Sequence, residues 1–222
     1  MLLRLHIITR AQAGALVLAS TFGNGMGMAL PAVSALLGLS QRDIPVVYDL
    51  LATVPFVWII GVLLCAHFGT RVTNGGLGKE LLRLPPFWAL IIALGMRYFG
   101  LALPEPLMKT LHLLGSAAVP LLLLMVGMTL HVGRHMRFGL LFSVVGLKLF
   151  LSAGLAFGVG HVVGLQGATL AATVLTAAAP PVGVGIALCD RFRLDTELFG
   201  TAMTVTTVLY VLLVPWLVSW LI

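Results

Sequence analysis

The sequence predicts an all-α integral membrane protein with seven transmembrane helices, two of them broken. Three observations carry this prediction. First, 60% of the 222 residues are hydrophobic, only 9% are charged, and the mean hydropathy is +1.11. A soluble domain carries about 25% charged residues, so a chain this apolar has lipid as its solvent. Second, seven apolar runs, each about 18 residues or longer, fall at residues 11–37, 44–68, 86–103, 107–130, 138–163, 167–189 and 198–221. Third, two of these runs carry clusters of helix breakers where a plain span would carry none.

The elements are justified in chain order. The first residues, MLLRLHIITRAQAGALVLAS, start basic and end small, as a signal peptide does. Arg10 and Gln12 interrupt the apolar core that such a peptide needs, so no cleavage is expected. The first span then breaks at FGNGMGMALP. Gly23, Gly25 and Gly27 each disfavour helix by roughly 1 kcal/mol against alanine. Pro31 lacks an amide hydrogen and clashes with the preceding turn. The second, third and fourth runs are unbroken by comparison, joined by short polar gaps. The fifth holds Lys148, eleven residues past Arg137, or about 16 Å of helix. A charge at that depth costs roughly 2.5–3.5 kcal/mol on insertion scales, so it is expected to face the interior and to have a role. The sixth run breaks at TAAAPPVGVG, where Pro180 and Pro181 precede Gly183 and Gly185. The last span carries Thr201, Thr204, Thr206 and Thr207. With Thr169, Thr173 and Thr176 they can line a polar path, although such threonines more often bond to their own helix. Gly154, Gly158, Gly160 and Gly164 are expected to let helices approach closely.

Charge gives the orientation. Alternating the spans places nine basic residues on one side: Arg4, Arg10, Arg71, Lys79, Arg83, Arg134, Arg137, Arg191 and Arg193. Only Arg42, Arg97 and Lys109 lie on the other. The positive-inside rule then predicts a cytoplasmic N-terminus and an external C-terminus in the cell (inner) membrane. The net charge of +6 reports this topology and not nucleic-acid binding, because the basic residues sit in gaps between runs. Seven spans also raise a rhodopsin-like reading, but the last span has no lysine for a retinal Schiff base. Cys65 and Cys189 have no metal-type spacing and are expected to be small buried hydrophobes. His131 and His135 are spaced i, i+4 but lack the glutamate of a zincin motif. No paired carboxylates or nucleophile elbow appear in any span, so no enzyme, cofactor or metal is expected.

Broken backbone at bilayer depth leaves unpaired amides and carbonyls, which must be buried in protein or line a wet cavity. Two such breaks in comparable positions point to the binding site of a secondary transporter. They lie five spans apart, so they cross in opposite directions, as an inverted repeat requires.

The residues match a known pattern. TFGNGMGMALPAVSALLG resembles the discontinuous fourth helix of the auxin efflux carrier family. LLGSAAVPLLLLMVGMTL resembles its seventh helix, and AAAPPVGVGIALCDRFRLDTELFGTAMTVTTVL its broken ninth helix and the start of its tenth. The resemblance implies a permease fold of two inverted five-helix repeats, whose broken helices cross near the bilayer midplane. Residues 1–68 would be the remainder of the first repeat and residues 84–222 the second, within one transmembrane domain. The chain would then lack the first three helices. It also departs from the family after the ninth-helix proline, where a polar residue is usual and PPVGVGIAL has none.

The expected function is transport of a small organic anion by alternating access, coupled to a proton or sodium ion if to any, with a homodimer possible. The substrate-binding residues are Gly23, Asn24, Gly25, Lys148, Pro180, Pro181 and Gly183. An anion is expected because Lys148 has no carboxylate at comparable depth, Asp49 being a turn or two into its span and Asp190 at a helix end. The competing expectations are a partner-dependent fragment, inactive alone, and a sodium-coupled carrier similar to the bile-acid symporters.

Overall fold

The computed structural model describes residues 8–70, 85–129 and 138–222. Arg4, Arg71, Lys79, Arg83, Arg134 and Arg137, and the histidine pair at 131 and 135, lie outside them. The described residues are helical almost throughout, and the only β feature among them is a single isolated bridge. The helices are α1 (Arg10–Thr21), α2 (Gly25–Leu36), α3 (Leu39–Phe68), α4 (Pro85–Tyr98), α5 (Glu105–Thr129), α6 (Phe138–Val163), α7 (Gly167–Ala177), α8 (Val184–Phe192) and α9 (Thr196–Leu221). Three of them, α3, α6 and α9, are long and apolar enough to cross a membrane. The first apolar run is split into α1 and α2, and the sixth into α7 and α8, at the two predicted breaks.

Local chemistry sets the ends. Thr9 caps α1 in a capping box with Gln12, each side chain reaching the other's backbone amide. Asp195 caps α9 by accepting from the Leu198 amide at 2.9 Å. Gly164, at φ +86°, occupies the left-handed conformation that closes α6.

The core lies where α1, α7, α8 and α9 meet α3 and α6. Leu18, Leu175, Phe192, Phe199, Met203 and Tyr210 fill it. Large apolar side chains such as Leu51, Phe56, Phe142, Phe150, Trp216 and Trp220 point outward, as lipid-facing surface does. Gly154, Gly158 and Gly164 correct an expectation. A Cβ there meets nothing among the described residues, so no close helix approach is seen at them, whereas Gly160 does pack on Leu170. Gly185 is the tighter case, because a Cβ there would overlap the Phe199 ring at the α8–α9 contact. Gly185→Ala is expected to cost about 1–3 kcal/mol through overpacking, read as a lower thermal midpoint of the purified protein.

Candidate functional site

The two breaks meet. Phe22 and Asn24 flank Gly23, which forms an antiparallel bridge with Pro181. The Asn24 amide donates to the Pro180 carbonyl at 2.7 Å, and the Val182 amide donates to the Phe22 carbonyl at 3.0 Å. Pro180 and Pro181 have no amide to satisfy, so the open backbone of each break is satisfied largely by the other. Gly183 follows as the residue before α8.

The carbonyl end of α7 is fully accounted for. Val174 O accepts from the Ala178 amide at 2.9 Å, and Thr176 O from the Ala179 amide at 3.2 Å. Leu175 O accepts from the Tyr210 hydroxyl at 3.0 Å. Ala177 O accepts from Lys148 Nζ at 3.2 Å. The lysine is 2% exposed, which rules out snorkelling. It caps the negative end of a half-helix.

The amide end of α2 is the mirror case. Asn24 Oδ1 accepts from the Gly27 amide at 2.8 Å, and Asn24 O from the amides of Met28 and Ala29 at 3.0 and 3.2 Å. Asn24 is therefore a helix cap, 7% exposed, and a Cβ on Gly27 would collide with its side chain. The two remaining amides, those of Gly25 and Met26, face the Asp49 carboxylate, beside the Thr53 hydroxyl. Asp49 Oδ1 lies 2.8 Å from where a Cβ on Gly25 would sit. Each half-helix end thus faces a buried side chain of opposite sign.

Asp49 overturns one expectation. It is 8% exposed and packed on the break, so the core does hold an acid. α3 starts at Leu39, so Asp49 is about 15 Å along that helix, and its burial against the break is what the apolar pattern did not show. Lys148 therefore cannot be called an uncompensated charge, although the two groups form no ion pair.

The site is built from widened helix. The segments Gly25–Ala29, Asp49–Thr53 and Gly146–Leu151 are all π-helical, and the last two carry the buried charges. Single π turns inside α-helices recur at functional sites. Nothing in the apolar pattern marks them.

Polar capacity is left over. Lys148 has three donors and, among the described residues, uses one, on Ala177 O. The Asn24 side-chain NH2 makes no hydrogen bond among the described residues. Asp49 Oδ1 is buried without a partner. Most of the threonines are used up, since Thr173, Thr176, Thr201, Thr204 and Thr206 each bond to a carbonyl of their own helix and Thr169 to Gln41, whereas Thr207 Oγ1 is buried without a partner among the described residues. Beyond the break, a cavity of about 990 Å³ runs along α2 against α3 and α5, lined by Pro31, Ser34, Arg42, Asp43, His112 and Ser116 among others. Cys65 and Cys189 are free and buried, and no group of three or more metal-ligating side chains occurs among the described residues.

Two curated proteins are similar to the chain. An uncharacterised transporter of Methanothermobacter thermautotrophicus is 28% identical over 207 residues, which cover 90% of this chain and 65% of that protein. An uncharacterised transporter of Methanocaldococcus jannaschii is 24% identical over 206 residues, covering 90% of this chain and 66% of its own length. The chain thus spans about two thirds of the length of these relatives. No solved structure matches it. The family model described as membrane transport protein matches residues 69–218. The chain therefore belongs to the membrane transport protein family, that of the auxin efflux carriers.

Proposed function

We propose that the chain is the carrier core of a secondary active transporter, moving a small organic anion across the cell (inner) membrane by alternating access. The observation that carries this reading is the meeting of the two breaks beside a buried, incompletely used lysine. Helix ends and open backbone at one point offer a ligand preformed dipoles while each break satisfies much of the other's backbone. The argument from a missing acid no longer stands, and the donor count replaces it. Lys148 and Asn24 hold spare donors at the break, and Asp49 Oδ1 is a spare acceptor there; the two donor groups favour an acceptor-rich ligand such as a carboxylate.

In this reading the seven apolar runs all cross the membrane, with the N-terminus cytoplasmic and the C-terminus external. Residues 1–68 and 84–222 belong to opposite inverted repeats. The cavity along α2 is the route from one face to the break, and α4 and α5 act as scaffold. Transport is expected to be saturable. Initial uptake of radiolabelled oxalate, lactate, succinate and citrate by proteoliposomes checks it. Uptake of none of them above protein-free vesicles sinks the anion assignment.

A further inference from the structure

The least satisfied atom at the break is Asp49 Oδ1, an acceptor buried without a hydrogen-bond partner. It sits at the start of α2, against Gly25. On the far side of the same three-residue stretch, Lys148 Nζ lies 2.9 Å from where a Cβ on Gly23 would be. The break therefore carries a buried acid on one side and a buried base on the other, joined by no direct ion pair.

We propose that Asp49 is the coupling-proton site of the carrier, and that it takes up a proton together with the transported anion. This rests on the carrier reading above. The proton comes from water on one face, bonds to Asp49 Oδ1, and returns to water on the other. No other bond is made or broken.

A proton asks less of this site than a metal cation does. A hard cation needs several oxygen ligands. Asp49 instead faces two amide N–H groups, which point positive charge at it, and one hydroxyl. No group of three or more acidic, histidine or cysteine side chains exists among the described residues. A proton needs only the one free oxygen. Charge balance supplies the coupling. With Asp49 ionised and Lys148 protonated, the break is neutral. A carboxylate docking on Lys148 would add a buried charge without a partner, which is costly. Protonating Asp49 removes that excess, so each ligand tightens the other by the same factor.

The other titratable groups near Asp49 are few. Tyr48 is its neighbour on α3, and Lys148 comes from α6. α2 and α7 have no charged side chain. Glu105, Lys109 and His112 are on α5, which packs against the start of α2, and Arg42 and Asp43 lie at the far end of the cavity.

The test uses the full chain in proteoliposomes, with radiolabelled oxalate, lactate, succinate and citrate as probes and protein-free vesicles as blanks. An acid-outside gradient is expected to raise wild-type uptake about ten-fold. Asp49→Asn should lose that rise, and Asp49→Glu should keep it with a shifted midpoint. An Asp49→Asn protein that keeps the wild-type acid stimulation overturns the proposal and leaves the carrier reading intact. A second readout needs no substrate. Infrared difference spectra between acid and alkaline buffer should contain a protonated-carboxyl band that Asp49→Asn lacks. If wild-type and Asp49→Asn spectra agree in that region, the proposal fails, whether or not any carboxylate is transported.

Discussion

Lys148→Met is expected to lower carboxylate uptake on the order of 100-fold. Removing one partner of a buried, hydrogen-bonded charge pair costs about 2–5 kcal/mol, and about 1.4 kcal/mol is ten-fold. The lysine has two jobs at the break, and one variant cannot separate them. It caps Ala177 O at 3.2 Å, and it holds two further donors. Methionine removes both the charge and the cap, which leaves the carbonyl buried and unpaired at a cost of about 1–3 kcal/mol in stability. Lys148→Gln separates the jobs, because the amide can still donate to a carbonyl but carries no charge. The expected pattern is near-normal thermal stability for Lys148→Gln with uptake as low as in Lys148→Met. If Lys148→Gln transports at the wild-type rate, the lysine is only a cap, and the substrate meets the break through backbone groups and Asn24.

The helices were more legible in the sequence than the chemistry that joins them. Both breaks could be placed because glycine and proline act locally: helix is interrupted around Gly23 and at Pro180 and Pro181, although Gly25, Gly27 and Gly185 fall inside α2 and α8. Lys148 could be found because a charge in the middle of an apolar run needs a reason to be there. The burial of Asp49 could not be found this way, because it comes from α2 packing on α3, a contact that position along one apolar run does not report. Nor does apolar periodicity mark a π turn, since one extra residue per turn changes no composition. The glycines of α6 misled in the opposite sense. A small-residue stripe permits close approach, but only a neighbour makes it happen, and Gly154 and Gly158 face none among the described residues.

Gly23→Ala tests whether the break and the lysine form one unit. The new methyl would sit 2.9 Å from Lys148 Nζ, 3.3 Å from its Cε and 3.2 Å from the Ala179 carbonyl oxygen. The carbonyl belongs to a backbone already pinned by the Gly23–Pro181 bridge, so the lysine end is what gives way. Moving Nζ breaks its bond to Ala177 O and takes its spare donors off the break. Gly23→Ala alone is expected to destabilise the protein by about 1–3 kcal/mol and to lower carboxylate uptake in the same direction as Lys148→Met. A second substitution locates the cause. In a Lys148→Ala background, Nζ and Cε are gone and the methyl enters the vacated space. Gly23→Ala should then cost less than in the wild type, with an interaction of about 0.5–3 kcal/mol in the cycle. Chemical denaturation of the four proteins measures that cycle without any substrate. If the two substitutions add, the methyl acts on the Ala179 backbone, and the crossing holds its shape independently of the lysine. If they couple, the ammonium, the glycine and the half-helix carbonyl act as one unit, and a shift of the break in transport necessarily moves the charge that meets the anion.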